Sequence, residues 1–122
     1  MPVPTKTYII LLASISNAAG STKTSTTWDL TTPGKFGGLL TSRVTNGATP
    51  PTVGTIVTVN TSGNGTDWKG FQTYQAGVAA NGVYDFPLEI PIGPMYVQVV
   101  FSGNTVQATT VEAQGQEATS IA

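Results

Sequence analysis

The 122-residue chain contains no Cys and no His, which excludes disulfides and thiolate metal sites and removes the commonest general base. Only 9% of its residues are charged, and the five basic ones (Lys6, Lys23, Lys35, Arg43, Lys69) are scattered. No patch results that could neutralise a phosphate backbone, so nucleic acid is excluded as a partner. Twenty-one threonines, 14 glycines and 8 prolines, with few charged helix formers, indicate one all-β domain. A surface of Thr, Ser, Asn and Gln, poor in Lys and Glu, suits a protein that lies against neighbours.

Residues 1–7, with Pro2 and Pro4, read as an extended N-terminal arm. The apolar run Tyr8-Ile9-Ile10-Leu11-Leu12-Ala13-Ser14-Ile15 is far shorter than the ~20 residues that span a bilayer, so no membrane insertion is expected. It reads as a buried first strand in preference to a secretory signal, because a single charge precedes it. A turn at 17–20 leads into a polar strand over 21–30 that contains Trp28. A loop at 31–38 follows, with Pro33-Gly34 at turn positions.

The next strand, 39–45, ends at Asn46-Gly47, and 48–51 crosses over. Residues 52–61 alternate, with Val53, Val57 and Val59 on one face. The strongest turn signal, Ser62-Gly63-Asn64-Gly65-Thr66-Asp67, returns the chain into a strand over 68–75. Strand 82–90 follows a small-residue loop. It puts Phe86, Leu88 and Ile90 on one face, and Pro87 marks it as an edge or bulged strand.

Residues 95–102 form the axis of the pattern. Pro91-Ile92-Gly93-Pro94 and Gly103-Asn104 bound the run, and Met95, Val97, Val99 and Phe101 share a core face. Residues 105–113 alternate again and are expected to return antiparallel beside it as a hairpin. Residues 114–122 have no pattern and read as a C-terminal arm. About eight strands without any helical period predict a two-sheet, jelly-roll-like sandwich with extended termini. Its expected core is Val57, Val59, Leu88, Ile90, Val97, Val99 and Phe101.

The acids are Asp29, Asp67, Asp85, Glu89, Glu112 and Glu117. Asp85 and Glu89 share a strand face, but a spacing of four residues separates them by roughly 13 Å, beyond the reach of a glycosidase pair. The hydroxyls have no His to activate them. Residues 60–67 offer carbonyls and one carboxylate without the Asp-rich pattern of a Ca²⁺ loop. No enzymatic activity and no cofactor are therefore expected. Trp28, Trp68 and Tyr74 are the candidate contacts for a partner or a sugar, weighed against the commoner reading of such rings as core.

From Gly37 onward three pieces resemble small virion proteins of tailed bacteriophages. They are Thr45-Asn46-Gly47, then Val57-Thr58-Val59 through Ser62, Gly65 and Trp68, then Ile90-Pro91-Ile92-Gly93 through Thr105. The resemblance covers about two thirds of the chain, and its motifs are turn and strand signals without chemistry. It implies a capsid decoration or cement protein on the virion's capsid surface, bridging subunits of the major capsid protein. Separately, the arms 1–7 and 114–122 hold too little apolar surface to fold on their own, so a homo-oligomer, dimer or trimer, that binds a larger shell through its termini is expected. The hairpin with a Trp after a Gly-rich turn is similar to carbohydrate-binding sandwiches too. That leaves a glycan-binding module or a tail adsorption component as the alternative.

Overall fold

The computed structural model describes residues 5–31, 35–91 and 93–119. Among these lie nine strands: β1 (Lys6–Asn17), β2 (Lys23–Thr24), β3 (Trp28–Asp29), β4 (Gly38–Asn46), β5 (Ile56–Ser62), β6 (Lys69–Gln75), β7 (Val83–Ile90), β8 (Tyr96–Ser102) and β9 (Thr109–Ala118). One sheet has the order β1-β9-β4-β7. The other has the order β2-β8-β5-β6, with β3 also pairing β8. The two-residue strands β2 and β3 take successive positions along one edge of β8, so together they occupy the place of one interrupted strand. Each sheet thus interleaves early and late strands, the double Greek key of a jelly roll. The expected all-β sandwich is the fold.

Consecutive strands pair with each other in one place only among the described residues, the β5–β6 hairpin around the Ser62–Asp67 turn. The hairpin expected between residues 95–102 and 105–113 does not form. β8 lies between β5 and the β2/β3 edge, whereas β9 lies in the opposite sheet between β1 and β4. Residues 103–108 form a corner that carries the chain across. Gly103 has φ +84° and Val106 φ +73°. Buried Asn104 donates to the carbonyls of Asn17 and Gln107 and accepts from the Asn17 side-chain amide. Alternation says which side chains face the core, but it is silent on which sheet a strand joins.

The C-terminal arm also needs correction. Residues 114–118 continue β9, paired on one side with β1 and on the other with β4. Their inward positions are Gly115 and Glu117. A Cβ on Gly115 would lie 3.2 Å from Trp28 Cη2 and 3.0 Å from Ile9 Cγ1, so the missing side chain is the space that the Trp28 ring fills. The N-terminal arm survives as an expectation only for residues 1–4, because Lys6 and Thr7 already belong to β1. Residues 1–4 and 120–122, the Pro33-Gly34 turn and Ile92 lie outside the described residues.

The core contains Val57, Val59, Ile90, Val97, Val99 and Phe101 as expected, with Leu88 packed against it. Leu11, Trp28, Leu40, Val44, Val111 and Ala113 complete most of it. Met95 and Val53, expected on core faces, are exposed because they precede β8 and β5. β7 is an edge strand, as Pro87 requires. At the open side of the sandwich Tyr74 of β6 stacks on Phe86 of β7, ring centroids 4.9 Å apart, joining the two sheets.

Candidate partner-binding surface

The first strand is not buried. β1 is an edge of its sheet, and Tyr8, Ile10 and Ile15 are 58%, 60% and 42% exposed. Its pairing with β9 is interrupted between Ile10 and Ile15, where the register shifts twice. At that irregularity the Leu11 carbonyl turns to the opposite sheet and accepts from the Thr26 backbone N–H and hydroxyl. Leu11 consequently points into the core while Ile10 stays outside. A continuous apolar run reads as buried on both faces, and nothing in it signals an edge position.

On the outer face of this sheet the register aligns Glu89, Leu39, Gln116 and Tyr8 in one row across β7, β4, β9 and β1. Beside the row lies a groove of about 370 Å³ lined by Lys6, Phe36, Leu39, Glu89, Pro91 and Gln116 among others. Gly38 forms part of its lining with φ +148°, and a Cβ there would collide with the Gln116 carbonyl oxygen. The Tyr8 hydroxyl donates to Gln114 Oε1 at 2.6 Å.

A second row crosses the same face nearer the other end. Asp85, Arg43 and Glu112 are direct cross-strand partners on β7, β4 and β9. Arg43 binds Asp85 through two hydrogen bonds, 2.6 and 3.0 Å, and its Nε lies 3.7 Å from Glu112. The hydrogen bond with Asp85 raises the Arg43 pKa further, and the guanidinium holds the Asp85 carboxyl below its ordinary value. Asp85 and Glu89 are thus separated in role as well as in space.

The remaining acids serve local structure. The Asp29 carboxyl accepts from the Thr31 hydroxyl and backbone N–H, which lowers its pKa. In the 62–67 turn, Asn64 Oδ1 accepts from the N–H groups of Thr66 and Asp67, while Asp67 accepts from the Asn64 amide. Ser62 Oγ, Asn64 Oδ1 and Asp67 Oδ2 are thus engaged within the turn itself. No group of three or more acids with metal-holding geometry occurs among the described residues.

Of the three aromatic candidates, Trp28 is 2% exposed and lies in the core, its Nε1 donating to buried Glu117 at 2.9 Å. Lys35 approaches the same carboxylate oxygen at 3.3 Å. Tyr74 is half-buried under Phe86. Trp68, half-buried just before β6, keeps partial access. The fold does not assemble these rings into one platform. Tyr8, Ile10 and the groove residues were missed, and only the even spacing of Lys6, Tyr8 and Ile10 hinted that they share a face.

No protein-family model matches the chain, and no curated protein matches it by sequence. Among solved structures, the fold is similar to the PBSX exported protein XepA, with TM-score 0.66, 14% identity and 95% of this chain covered. The chain spans 38% of XepA's length. It is also similar to the K3 cleaved adhesin domain of Lys-gingipain from Porphyromonas gingivalis, with TM-score 0.59, 15% identity, and 84% and 72% of the two chains covered. The SPBc2 prophage-derived protein YomS matches end to end, with TM-score 0.53, 15% identity and coverages of 95% and 96%. At such identities the shared property is the jelly-roll fold.

Proposed function

We propose that the chain is a non-enzymatic structural subunit of a tailed-phage virion, a decoration or cement protein on the capsid surface that binds the major capsid protein. The observation that carries this reading is the exposed apolar edge of β1, an interaction surface without accompanying chemistry. Five of the six acids are committed to structural contacts, with Thr31, Asn64, Arg43 and the Trp28–Lys35 pair, which leaves Glu89 at the groove. The fold shared with XepA and the prophage-derived YomS supports a phage context. Cryo-electron microscopy of native particles, with an antibody against this chain, is the direct test. Density and label on the head shell are expected. Label on the tail, or none on particles, would overturn the capsid assignment.

A second reading, glycan binding, is favoured by the groove, where an apolar floor meets the Lys6, Glu89 and Gln116 side chains. Titration of soluble glycans against the protein, with Leu39→Arg as the groove-filling control, separates the two. Saturable binding lost in the variant would replace the structural reading with the adsorption one.

A further inference from the structure

The backbone of β1 has a direction that the side chains alone do not show. The Ala118 N–H donates to the Gly37 carbonyl, and the Ala118 carbonyl accepts from the Phe36 N–H, so Ala118 directs both groups toward the β4 side. Lys6 faces Ala118, Tyr8 faces Gln116 and Ile10 faces Gln114. In an antiparallel ladder, hydrogen-bonded and non-hydrogen-bonded pairs alternate. The Thr119 N–H donates to the Thr5 carbonyl, which places the bonded pairs at Thr7 and Ile9 and turns the N–H and C=O of Lys6, Tyr8 and Ile10 away from β9. The same three residues carry their side chains on the exposed outer face.

We infer that this stretch, residues 6–10, is the pairing edge for a second copy of the chain, related by a two-fold axis at Tyr8. The inference goes beyond the virion reading: it gives the β1 edge to a second copy of the chain and leaves the outer face of the sheet, with its groove, to any other partner. Antiparallel addition would join two four-stranded sheets into one of eight through about six backbone hydrogen bonds, two from each facing pair. Tyr8 faces Tyr8 of the second copy, and Lys6 faces Ile10, an isologous contact.

The near-absence of charge lets the stretch pair with itself, and its one charge selects the register. Within the stretch the only protecting charge is Lys6 at its end, with no carboxylate or proline, and the register irregularity begins only after Ile10. An axis at Lys6 would oppose two ammonium groups. An axis at Ile10 would run the pairing into Leu11, whose carbonyl is already bound to Thr26. An axis at Tyr8 uses the whole stretch that faces away from β9 and sends the two lysines to opposite ends, each stem over an isoleucine. Tyr–Tyr and Lys–Ile facing pairs are compatible neighbours on a sheet face.

The test is sedimentation of the full chain and of Tyr8→Glu and Tyr8→Lys variants across a wide concentration range. Tyr8 is exposed, so both variants are expected to keep wild-type circular dichroism and melting. Wild type is expected to dimerise, and each variant to weaken dimerisation by roughly tenfold, since like charges then face each other across the axis. An equimolar mixture of the two variants should restore the dimer. There the carboxylate introduced in one copy faces the ammonium introduced in the other, a result specific to this register. A monomeric wild type, a Tyr8→Glu variant that dimerises as wild type does, or a mixture that stays monomeric would each overturn the inference. None of these outcomes bears on whether particles contain the protein, which the labelling experiment decides separately.

Discussion

Trp28 and Glu117 tie the two sheets together inside the core. The indole N–H on β3 donates to a carboxylate oxygen on β9 at 2.9 Å, and both residues are buried. The carboxylate also meets Lys35 at 3.3 Å, so its charge is matched where the chain enters β4. Gly115, two residues earlier on the same inward face of β9, leaves the volume that the ring occupies.

Truncating either partner should be costly for different reasons. Trp28→Ala removes a buried ring and opens a cavity, with an expected loss of about 3–5 kcal/mol. Glu117→Leu keeps volume but leaves the indole N–H without an acceptor, an expected loss of about 1–3 kcal/mol. Urea unfolding followed by Trp fluorescence measures both. Equal stability of the Glu117→Leu protein would show that the hydrogen bond contributes nothing net.

Tyr74 and Phe86 close the open side of the sandwich by stacking across the two edge strands. A double-mutant cycle with Tyr74→Leu and Phe86→Leu should return a coupling of about 0.5–1.5 kcal/mol. Additive losses would mean that the rings pack independently.

Val106 sits at φ +73°, a conformation that a β-branched residue adopts only under strain, and its side chain is exposed. Val106→Asn should therefore stabilise the fold by about 1 kcal/mol, since Asn tolerates this region. Thermal unfolding reads the gain. A lower melting temperature would mean that the corner depends on the Val side chain.

Acid should weaken the protein in a defined window. The Asp85 carboxyl, held by Arg43, and the Asp29 carboxyl, held by Thr31, both titrate below their ordinary value when folded. Groups of this sign bind fewer protons folded than unfolded, so their contribution is complete above the unfolded value of about 3.9 and fades as pH falls through the lower folded value. Melting temperature should stay level from neutral to mildly acidic pH and drop below that window. Asp85→Asn should flatten part of the drop, modestly, because the pair is exposed and screened. A decline beginning near neutrality would point to another group.

Local chemistry alone determined that this chain is a β-sandwich, and much of its core. Val57, Val59, Val97, Val99 and Phe101 occupy every second position of short, bounded β-forming runs, and alternation is set residue by residue by the pleat. Pro87 announced an edge because a missing N–H is a property of one residue. Tertiary structure alone decided the rest. β9 crosses to the other sheet at a corner where Asn104 meets Asn17, a contact whose partners are far apart in sequence. Gln114-Gly115-Gln116-Glu117 looks patternless until Trp28 fills the space over Gly115. The candidate interaction surface was hidden for the same reason. An apolar strand shows its composition in the sequence, but its exposure is a matter of how many neighbours the topology gives it, and among the described residues β1 receives one paired strand.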